Sequence, residues 1–222
     1  ISAAAAAGAC NAVLLKPNER SYDEKYWNSR QMAPSCLLYY IGLNKKLEGV
    51  KHHSLFFDVD FDAHGKEIYE EAKWPAEPLF YLSIPSVTDS SVAPPGCENL
   101  FFLVPVAAGL EGDTELLRKE YFDIIVRRFE EKAKQKITEN IIFYKAYSVA
   151  DFKNDYGAFK GNAYGLANTL MQTAILKPSL RSKKVKNLFY TGQLTSPGPG
   201  MPPAIISGQI VANMIINPPK AD

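Results

Sequence analysis

The sequence predicts an α+β (mixed α/β) fold, and three observations support this prediction. Several apolar runs have the length of a β-strand and are bounded by glycine or proline. Residues 113–135 instead place apolar side chains three and four positions apart, which is typical of an amphipathic helix. A second apolar stretch of helical length begins at Pro202. Because strands and helices are interspersed, we expect a sheet backed by helices.

The individual elements follow from local patterns of apolar residues. In chain order they are strands at residues 36–42, 54–61, 79–84, 100–106 and 140–144, a short helix at 64–74 and the long helix at 113–135. The nearly unbroken apolar character of residues 79–84 and 100–106 predicts burial on both faces of these strands. The proline-rich residues 86–96 are expected to form the loop between them.

The composition indicates a folded chain with no bulk preference for a charged partner. At 222 residues, 46% hydrophobic and 22% charged, the chain has enough apolar material for a core. Its 25 basic and 24 acidic residues give a net charge of +1, so we expect no nucleic-acid partner. No apolar run reaches the roughly 18–20 residues that a membrane span needs. Any membrane contact is therefore expected to be peripheral.

One short basic cluster, Arg181 with Lys183, Lys184 and Lys186, precedes the last predicted strand. Two interpretations stay open for this cluster. It is either a solvated turn or a contact for anionic lipid headgroups.

The cysteine and histidine residues do not indicate a metal site. Cys10, Cys36 and Cys97 lie far apart, and the three histidines include only one close pair, His52-His53. Zinc ligands occur as paired residues at short intervals, so we expect no metal. An odd number of cysteines without a secretion signal predicts a reducing, cytoplasmic setting.

The most informative segment lies near the C-terminus. The apolar residues 188–191 are expected to form a strand that ends at Gly192. A loop rich in glycine and proline follows, and Pro202 with Pro203 opens a helix, because proline is favoured in the first helical turn. The unpaired N–H groups and the positive dipole end of this helix would point at whatever lies over the strand end. Gly198 and Gly200 would let the backbone approach a flat or anionic ligand. The pattern alone also fits an ordinary strand-turn-helix.

The exact string is more specific than the pattern. Residues 191–203 read Thr-Gly-Gln-Leu-Thr-Ser-Pro-Gly-Pro-Gly-Met-Pro-Pro. This string resembles the C-terminal signature of the carotenoid desaturase family of the bacterial phytoene desaturase type, which are FAD enzymes. Further similar strings follow in order along the chain, at residues 34–42, 80–83, 98–106, 161–173 and 177–178. The resemblance covers the chain from about residue 20 to its end.

The resemblance implies a division into domains. Residues 1–20 would end a segment of the FAD domain, and residues 21–185 would form a substrate-binding domain with a mixed sheet and backing helices. Residues 186–222 would return to a Rossmann-like FAD domain as a strand, loop and helix. No Gly-x-Gly-x-x-Gly string occurs, although a dinucleotide pyrophosphate site of this class needs one. We therefore expect roughly the C-terminal half of a larger enzyme, inactive by itself. We assign no function to the alanine-rich residues 3–13.

The resemblance also implies FAD as the cofactor. The candidate flavin contacts are Gly192, Gln193, Gly200, Met201 and Pro202. Backbone N–H groups from Met201 to Ala204 are expected to face the isoalloxazine ring or the ribityl chain. Many relatives in the wider flavoprotein class have an acidic residue where this chain has Gln193. Glutamine still accepts and donates hydrogen bonds, and the carotenoid branch resembles this chain at that position.

The candidate substrate contacts are Phe80, Phe101 and Tyr164. Aromatic residues occur as adjacent pairs on the predicted strands, at residues 56–57, 80–81 and 101–102. Neighbours along a strand face opposite sides of a sheet, so each pair places one ring on each face. Two interpretations stay open: both faces are ordinary core, or one set of rings lines an apolar tunnel for a polyene.

The resemblance implies that the enzyme dehydrogenates a long apolar carotenoid by hydride transfer to FAD, in the cytoplasm and with peripheral membrane contact. One alternative is an enzyme that acts on hydroxylated or cyclised carotenoids, or one similar to retinol saturase. An alternative of another class is a non-catalytic module that binds an apolar ligand or a protein. We assign no catalytic acid or base, since histidine, the usual candidate, is absent from the flavin-facing block.

Overall fold

A computed structural model describes residues 14–217 of the chain. It divides into two compact units. Residues 35–149 form the first, which we call the sheet unit. The second, which we call the terminal unit, contains the described parts of residues 1–34 and 150–222. The alanine-rich residues 3–13 and Cys10 lie outside the described residues.

The sheet unit is built on five strands: β1 Ser35–Leu43, β2 His53–Phe56, β3 Phe80–Ser83, β4 Glu98–Val106 and β5 Ile141–Tyr147. Their spatial order is β2-β3-β4-β1-β5. All four strand pairs are antiparallel. The α+β prediction is confirmed, but the sheet is antiparallel throughout the described strands rather than mixed. Apolar runs identify strands without specifying the direction of their neighbours, so the sequence could not make this distinction.

Burial alternates strictly along β4, where every second residue from Glu98 to Val106 is buried and the others are partly exposed. β3 shows the same alternation. The prediction that both faces of these strands are buried is therefore wrong. One face of these two strands packs in the core, and the side chains on the other face are partly exposed.

Helices cover the core face of the sheet. The longest, α3 at Glu115–Ala133, follows α2 at Phe61–Tyr69. Ring centroids of Tyr39 and Phe122 lie 5.4 Å apart, and those of Phe102 and Phe129 lie 6.0 Å apart, so α3 packs directly on β1 and β4. The helix ends at Lys134, which has a left-handed backbone with φ of +53°. The apolar residues spaced three and four positions apart are therefore those that α3 packs against the sheet.

Two predicted boundaries shift at α2. The predicted strand at residues 54–61 stops at Phe56, and the helix predicted at 64–74 starts three residues earlier. Asp60 is the reason, since its carboxylate accepts hydrogen bonds from the backbone N–H groups of Asp62 and Ala63. Because the helix is capped at Asp60, the residues just before it cannot continue the strand.

The terminal unit contains α1 at Glu24–Asn28, α4 at Val149–Tyr156, whose first residue belongs to the sheet unit, and α5 at Met201–Ile216. Its core consists of Tyr22, Trp27, Leu166, Tyr190 and Leu194. An antiparallel bridge joins Met32 to Leu166. The chain segments that precede and follow the sheet unit in the sequence therefore share one core.

The predicted domain boundaries at 20/21 and 185/186 differ from this division. Residues 21–34 and 150–185 pack in the terminal unit, because the shared core draws on Tyr22, Trp27 and Leu166. The strand predicted at 188–191 is reduced to an isolated bridge between Phe189 and Arg181. Among the described residues, the backbone of this segment pairs with residues 180–182. The assignment of either unit to a substrate or FAD domain stays a prediction.

Candidate cofactor cavity

An apolar cavity of about 610 Å³ lies within the terminal unit. Five of the predicted site residues line it: Tyr164, Gly192, Gln193, Gly200 and Met201. The remaining lining residues are Phe152, Tyr156, Ala158, Asn162, Ala163, Thr191, Ala204 and Ile205. The structure thus brings Tyr164 together with four candidate flavin contacts that lie at least 28 positions further along the chain.

Ser207 fixes the start of the glycine-proline loop against α5. The backbone N–H of Gly192 donates to Oγ of Ser207 at 2.6 Å, and this hydroxyl donates to the carbonyl oxygen of Ala204 at 2.6 Å. Gly192 and Ser207 are buried, and Ala204 is half-buried. Thr195, which is also buried, donates from Oγ1 to the carbonyl oxygen of Gly192 at 2.8 Å. Gly192 is therefore held on both sides, in a position where it faces the cavity.

The N-terminus of α5 offers fewer donors than its position suggests. Pro202 and Pro203 follow Met201 at the helix start and have no N–H group. The N–H of Ala204 already donates to the carbonyl oxygen of Gly200 at 3.0 Å. The expectation that N–H groups from Met201 to Ala204 face a ligand therefore reduces to Met201 within the helix. Pro202, a predicted flavin contact, is not among the lining residues.

Asn162 and Gly165 shape the turn that carries Tyr164. The side chain of Asn162 donates to the carbonyl oxygen of Phe159 at 2.6 Å and accepts from the N–H of Gly165 at 2.7 Å. Gly165 has φ of +87°, and a Cβ there would lie 3.1 Å from the carbonyl oxygen of Gln193. Only glycine fits this left-handed position. The turn and the loop after Gly192 therefore approach each other backbone to backbone.

The polar groups around the cavity are few and uncharged. Among the described residues, no side-chain partner is found for the amide of Gln193, which can both donate and accept. An apolar space with a few oriented polar groups is typical of small-molecule and cofactor sites. A flavin ring, which has two apolar faces and one polar edge, fits this set of residues.

Sequence analysis missed the contribution of α4. Phe152 and Tyr156 line the cavity from this helix, which was not predicted. Val149, Phe152 and Tyr156 are spaced by three and four positions, which is the signal that could have identified the helix.

The two predicted phenylalanine contacts lie on opposite faces of the sheet unit. Phe80 is only 2% exposed and belongs to the core, with its ring stacked 4.3 Å from Phe56. Phe101 lies on the other face, 5.2 Å from Tyr40 and 6.5 Å from Tyr81 between ring centroids. The two residues cannot line one surface, because the core accounts for the Phe80 side chain. Of this pair, Phe101 remains a substrate candidate.

The partly open face of the sheet carries a row of rings. From β2 to β1 these are His53, Tyr81, Phe101 and Tyr40, each next to a ring on the neighbouring strand. Nδ1 of His53 and the hydroxyl of Tyr81 share a hydrogen bond of 2.6 Å. This face is therefore aromatic along its length and polar at the β2 edge.

Metal-binding and nucleophilic groups are sparse in the described part of the chain. No group of three His, Cys, Asp or Glu residues that could hold a metal ion occurs between residues 14 and 217. Cys36 and Cys97 are both free thiols. Burial raises the pKa of Cys36 to about 12, so its thiol stays protonated and weakly nucleophilic.

The basic cluster lies mainly at the surface. Arg181, Lys183, Lys184 and Lys186 are exposed. The guanidinium of Arg181 lies 5.9 Å from the ring centre of Phe189, and Nζ of Lys183 lies 4.9 Å from that of Tyr22. Such cation–π contacts contribute about 0.5–1 kcal/mol at exposed sites. They are compatible with either interpretation of the cluster.

Comparison with known proteins gives several similar sequences, although no family model matches the chain. It is 42% identical to the carotenoid 3,4-desaturase of Haloarcula japonica over 203 residues, which cover 91% of this chain and 41% of the relative. It is 31% identical to the 4,4'-diapolycopen-4-al dehydrogenase of Metabacillus indicus, over 83% of this chain and 37% of the relative. A 4,4'-diapophytoene desaturase (4,4'-diaponeurosporene-forming) of Staphylococcus haemolyticus is 29% identical, over 89% of this chain and 40% of the relative. The chain thus spans about two fifths of the length of these curated relatives.

One solved structure shows a more distant similarity. An oxidoreductase from Methanosarcina mazei superposes with a TM-score of 0.48 at 12% sequence identity. The match covers 86% of this chain and 37% of the other chain.

Proposed function

Because the chain belongs to the carotenoid desaturase family, we propose that it forms the cofactor-closing and substrate-facing part of an FAD-dependent desaturase. The proposed reaction removes a hydride and a proton from adjacent carbons of a long apolar polyene and leaves a double bond between them. The cavity carries this proposal, since Tyr164, Gly192, Gln193, Gly200 and Met201 meet around one apolar space.

A bound flavin would supply the two-electron acceptor for the hydride, which no amino-acid side chain provides. The residues of this chain would bind the flavin ring and orient it. Gly192 and Gly200 present backbone without side chains, so a flat ring can lie close to the loop. The N–H of Met201 and the amide of Gln193 would fix the orientation of the ring. Phe152, Tyr156 and Ile205 contribute apolar surface that excludes water.

Orientation matters quantitatively for such a reaction. Holding two reactants in the right geometry supplies about 7–11 kcal/mol of the barrier reduction. Gly192 is held by hydrogen bonds with Ser207 and Thr195, which supports a role for the loop in orienting the cofactor. We assign no residue to the removal of the proton.

We propose that the open face of the sheet unit contacts the polyene. Tyr40, Tyr81 and Phe101 form the aromatic row there, and Tyr40 is 44% exposed. Aromatic rings bind a conjugated chain through their large apolar faces. Tyr164, which is 42% exposed and lines the cavity, is the proposed substrate contact in the terminal unit.

A second candidate substrate has support from one comparison. The relative from Metabacillus indicus is named for an aldehyde, 4,4'-diapolycopen-4-al. An enzyme that acts on oxygenated, hydroxylated or cyclised carotenoids, or one similar to retinol saturase, is therefore the alternative. The hydrogen-bonded pair of His53 and Tyr81 at the β2 edge would favour an oxygenated end group.

We propose a cytoplasmic enzyme with peripheral membrane contact. None of the helices between residues 14 and 217 has the length and apolar character needed to cross a bilayer. A substrate as apolar as a carotenoid partitions into membranes, so the enzyme must meet it there.

The function is tested with the full-length protein in liposomes that contain either phytoene or a hydroxylated carotenoid. We expect flavin absorption in the purified protein and a product with additional conjugated double bonds from one of the two substrates. The isolated 222-residue chain should bind FAD weakly and show no turnover, because it contains no Gly-x-Gly-x-x-Gly string.

Two results would redirect the proposal. Conversion of the hydroxylated carotenoid alone would select the alternative substrate class. A full-length protein that contains no flavin and converts neither substrate would favour a non-catalytic module.

A further inference from the structure

Lys177 is a buried cation in the terminal unit. Only 6% of this residue is exposed. Its Nζ donates to Oδ1 of Asn168 at 3.0 Å, and no other partner is found among the described residues. A lysine ammonium has three N–H donors, so a single neutral acceptor leaves its charge uncompensated. Burial lowers the pKa of Lys177.

The lysine lies directly beneath the glycine-proline loop. A Cβ built on Gly198 would lie 3.2 Å from Cε and 3.5 Å from Nζ of Lys177, and 3.8 Å from Oδ1 of Asn168. The hydroxyl of Ser196 donates to the carbonyl oxygen of Ala174 at 2.7 Å. The loop is thus tied to the segment that carries Lys177. Gly198 has φ of +137°, so glycine permits both the conformation and the close approach.

The surrounding sequence supplies no negative charge. Residues 156–217 contain six lysine or arginine residues and no aspartate or glutamate, although the whole chain has a net charge of only +1. Buried charges in proteins are normally paired. Since Asn168 is the one partner found for Lys177 among the described residues, a negative charge brought by a ligand would compensate the buried ammonium.

We propose that Lys177 is a positioning residue for the cofactor: it lies against the loop at Gly198 and places a buried positive charge that stabilises the negative charge a flavin gains on reduction. This inference rests on the proposed function, because it requires a flavin in the cavity that Gly192, Gly200 and Met201 line.

The distance is short enough for a measurable effect. Two extended residues span at most about 7 Å, so Nζ of Lys177 lies within roughly 12 Å of the cavity-lining residue Gly200. If the flavin lies against Gly200, a unit charge at about this distance and at an effective dielectric constant near 20 would change the equilibrium between oxidised and reduced flavin about tenfold. We therefore expect Lys177 to favour the reduced over the oxidised flavin by about tenfold, which for a two-electron couple is about 30 mV.

The test is the midpoint potential of the flavin in the full-length protein. Lys177→Met removes the charge and keeps an apolar chain of similar length, whereas Lys177→Arg keeps the charge. Lys184→Met, at an exposed lysine of the same unit, is the matched control. We expect a potential about 30 mV lower for Lys177→Met, and a value near that of the unmodified protein for Lys177→Arg and Lys184→Met.

Asn168→Asp keeps the lysine and adds a carboxylate beside it. It tests the charge even if Lys177→Met does not fold. Its potential should shift in the same direction as that of Lys177→Met, because the new carboxylate neutralises the ammonium.

The outcomes separate the two proposals. A protein that carries flavin, but whose potential is unchanged in Lys177→Met and Asn168→Asp, contradicts the role of Lys177 and leaves the proposed function standing. Equal weakening of oxidised and reduced flavin binding also contradicts it, since the lysine would then act on another part of the cofactor. A full-length protein without any flavin contradicts the proposed function itself.

Discussion

Glu130 closes the turn that leads from α3 into β5. Its carboxylate accepts hydrogen bonds from the N–H groups of Ile137 at 2.7 Å and Thr138 at 2.9 Å, and from the Thr138 hydroxyl at 2.8 Å. Lys136 donates to it at 3.1 Å. Burial by itself raises the pKa of Glu130, but these donors outweigh burial and lower it to about 2. The ionised carboxylate therefore stabilises the turn.

Replacement of this carboxylate has a predictable cost. We expect Glu130→Gln to lower the free energy of unfolding by about 1–3 kcal/mol, because the amide accepts fewer and weaker hydrogen bonds. The difference should be full above about pH 4.5 and should shrink as the pH falls towards about 2. Urea denaturation at several pH values measures it. Glu131→Gln, at the exposed neighbouring position, should change stability little.

His64 is a structural histidine in the sheet unit. Its Nδ1 accepts from the N–H of Leu79 at 2.8 Å, and its Nε2 donates to the carbonyl oxygen of Pro105 at 3.1 Å. This arrangement requires the neutral ring, since a proton on Nδ1 would meet the N–H of Leu79. Burial lowers the pKa of His64 below its ordinary value of 6.5.

The lowered pKa makes stability depend on pH. The neutral ring contributes fully above about pH 6.5, and this contribution is lost as the pH falls through the lower pKa of the folded state. We expect unfolding free energies measured from pH 8 to pH 5 to fall in the unmodified chain. His64→Asn should be less stable at pH 8 by about 1–3 kcal/mol and should have a flatter profile. If the two profiles were parallel, His64 would not be the titrating group.

At the scale of elements, the two faces of β4 have separate tasks. Phe102 is fully buried between Phe80 and Phe129, whereas Phe101 lies on the open face beside Tyr40. These neighbours in sequence therefore allow a matched comparison of stability and substrate binding.

We expect Phe102→Ala to lower the free energy of unfolding by about 3–5 kcal/mol, through the cavity it leaves in the core. Phe101→Ala should cost far less stability but should lower kcat/KM for the polyene in the full-length enzyme. Thermal unfolding and turnover of the two variants measure this. A loss of turnover in Phe101→Ala that merely follows its loss of stability would remove the open face from the proposed substrate path.

Local patterns predicted the elements of the sheet unit well. The spacing of apolar residues in α3 and the runs of β1 and β4 identify these elements. α3 and β4 each bury one regular face, and β1 is buried at every position except Tyr40. The alternation of β4 was not predicted, since partly exposed residues such as Phe101 and Leu103 are as apolar as their buried neighbours. The start of α2 was not predicted either, because the capping role of Asp60 depends on backbone geometry.

At the scale of the whole molecule, the cavity was predicted in part. Gly192, Gln193, Gly200 and Met201 were identified by their resemblance to a known family, and the structure places them around one space with Tyr164. Phe152 and Tyr156 were missed, although both line that space from α4. Their contribution depends on a shared core between distant segments, which no local pattern reveals.

The burial of Lys177 was also beyond sequence analysis. A lysine side chain normally lies at the surface. Its burial depends on the loop at Gly198, which approaches from a position 21 residues later in the chain. The contact between Gly198 and Lys177 also packs the glycine-proline loop against the rest of the terminal unit.

The flavin content of the purified full-length protein tests the central claim most directly, with Gly200→Ala and Gly208→Ala as a matched pair. Gly200 lines the cavity with φ of +106°, whereas Gly208 lies in α5 with nothing within 4 Å of an added Cβ. We expect one FAD for each unmodified chain and for Gly208→Ala, and a severalfold lower content for Gly200→Ala, because alanine strains this backbone position. Full flavin content in Gly200→Ala, or none in the unmodified protein, would contradict the claim that this loop holds the cofactor.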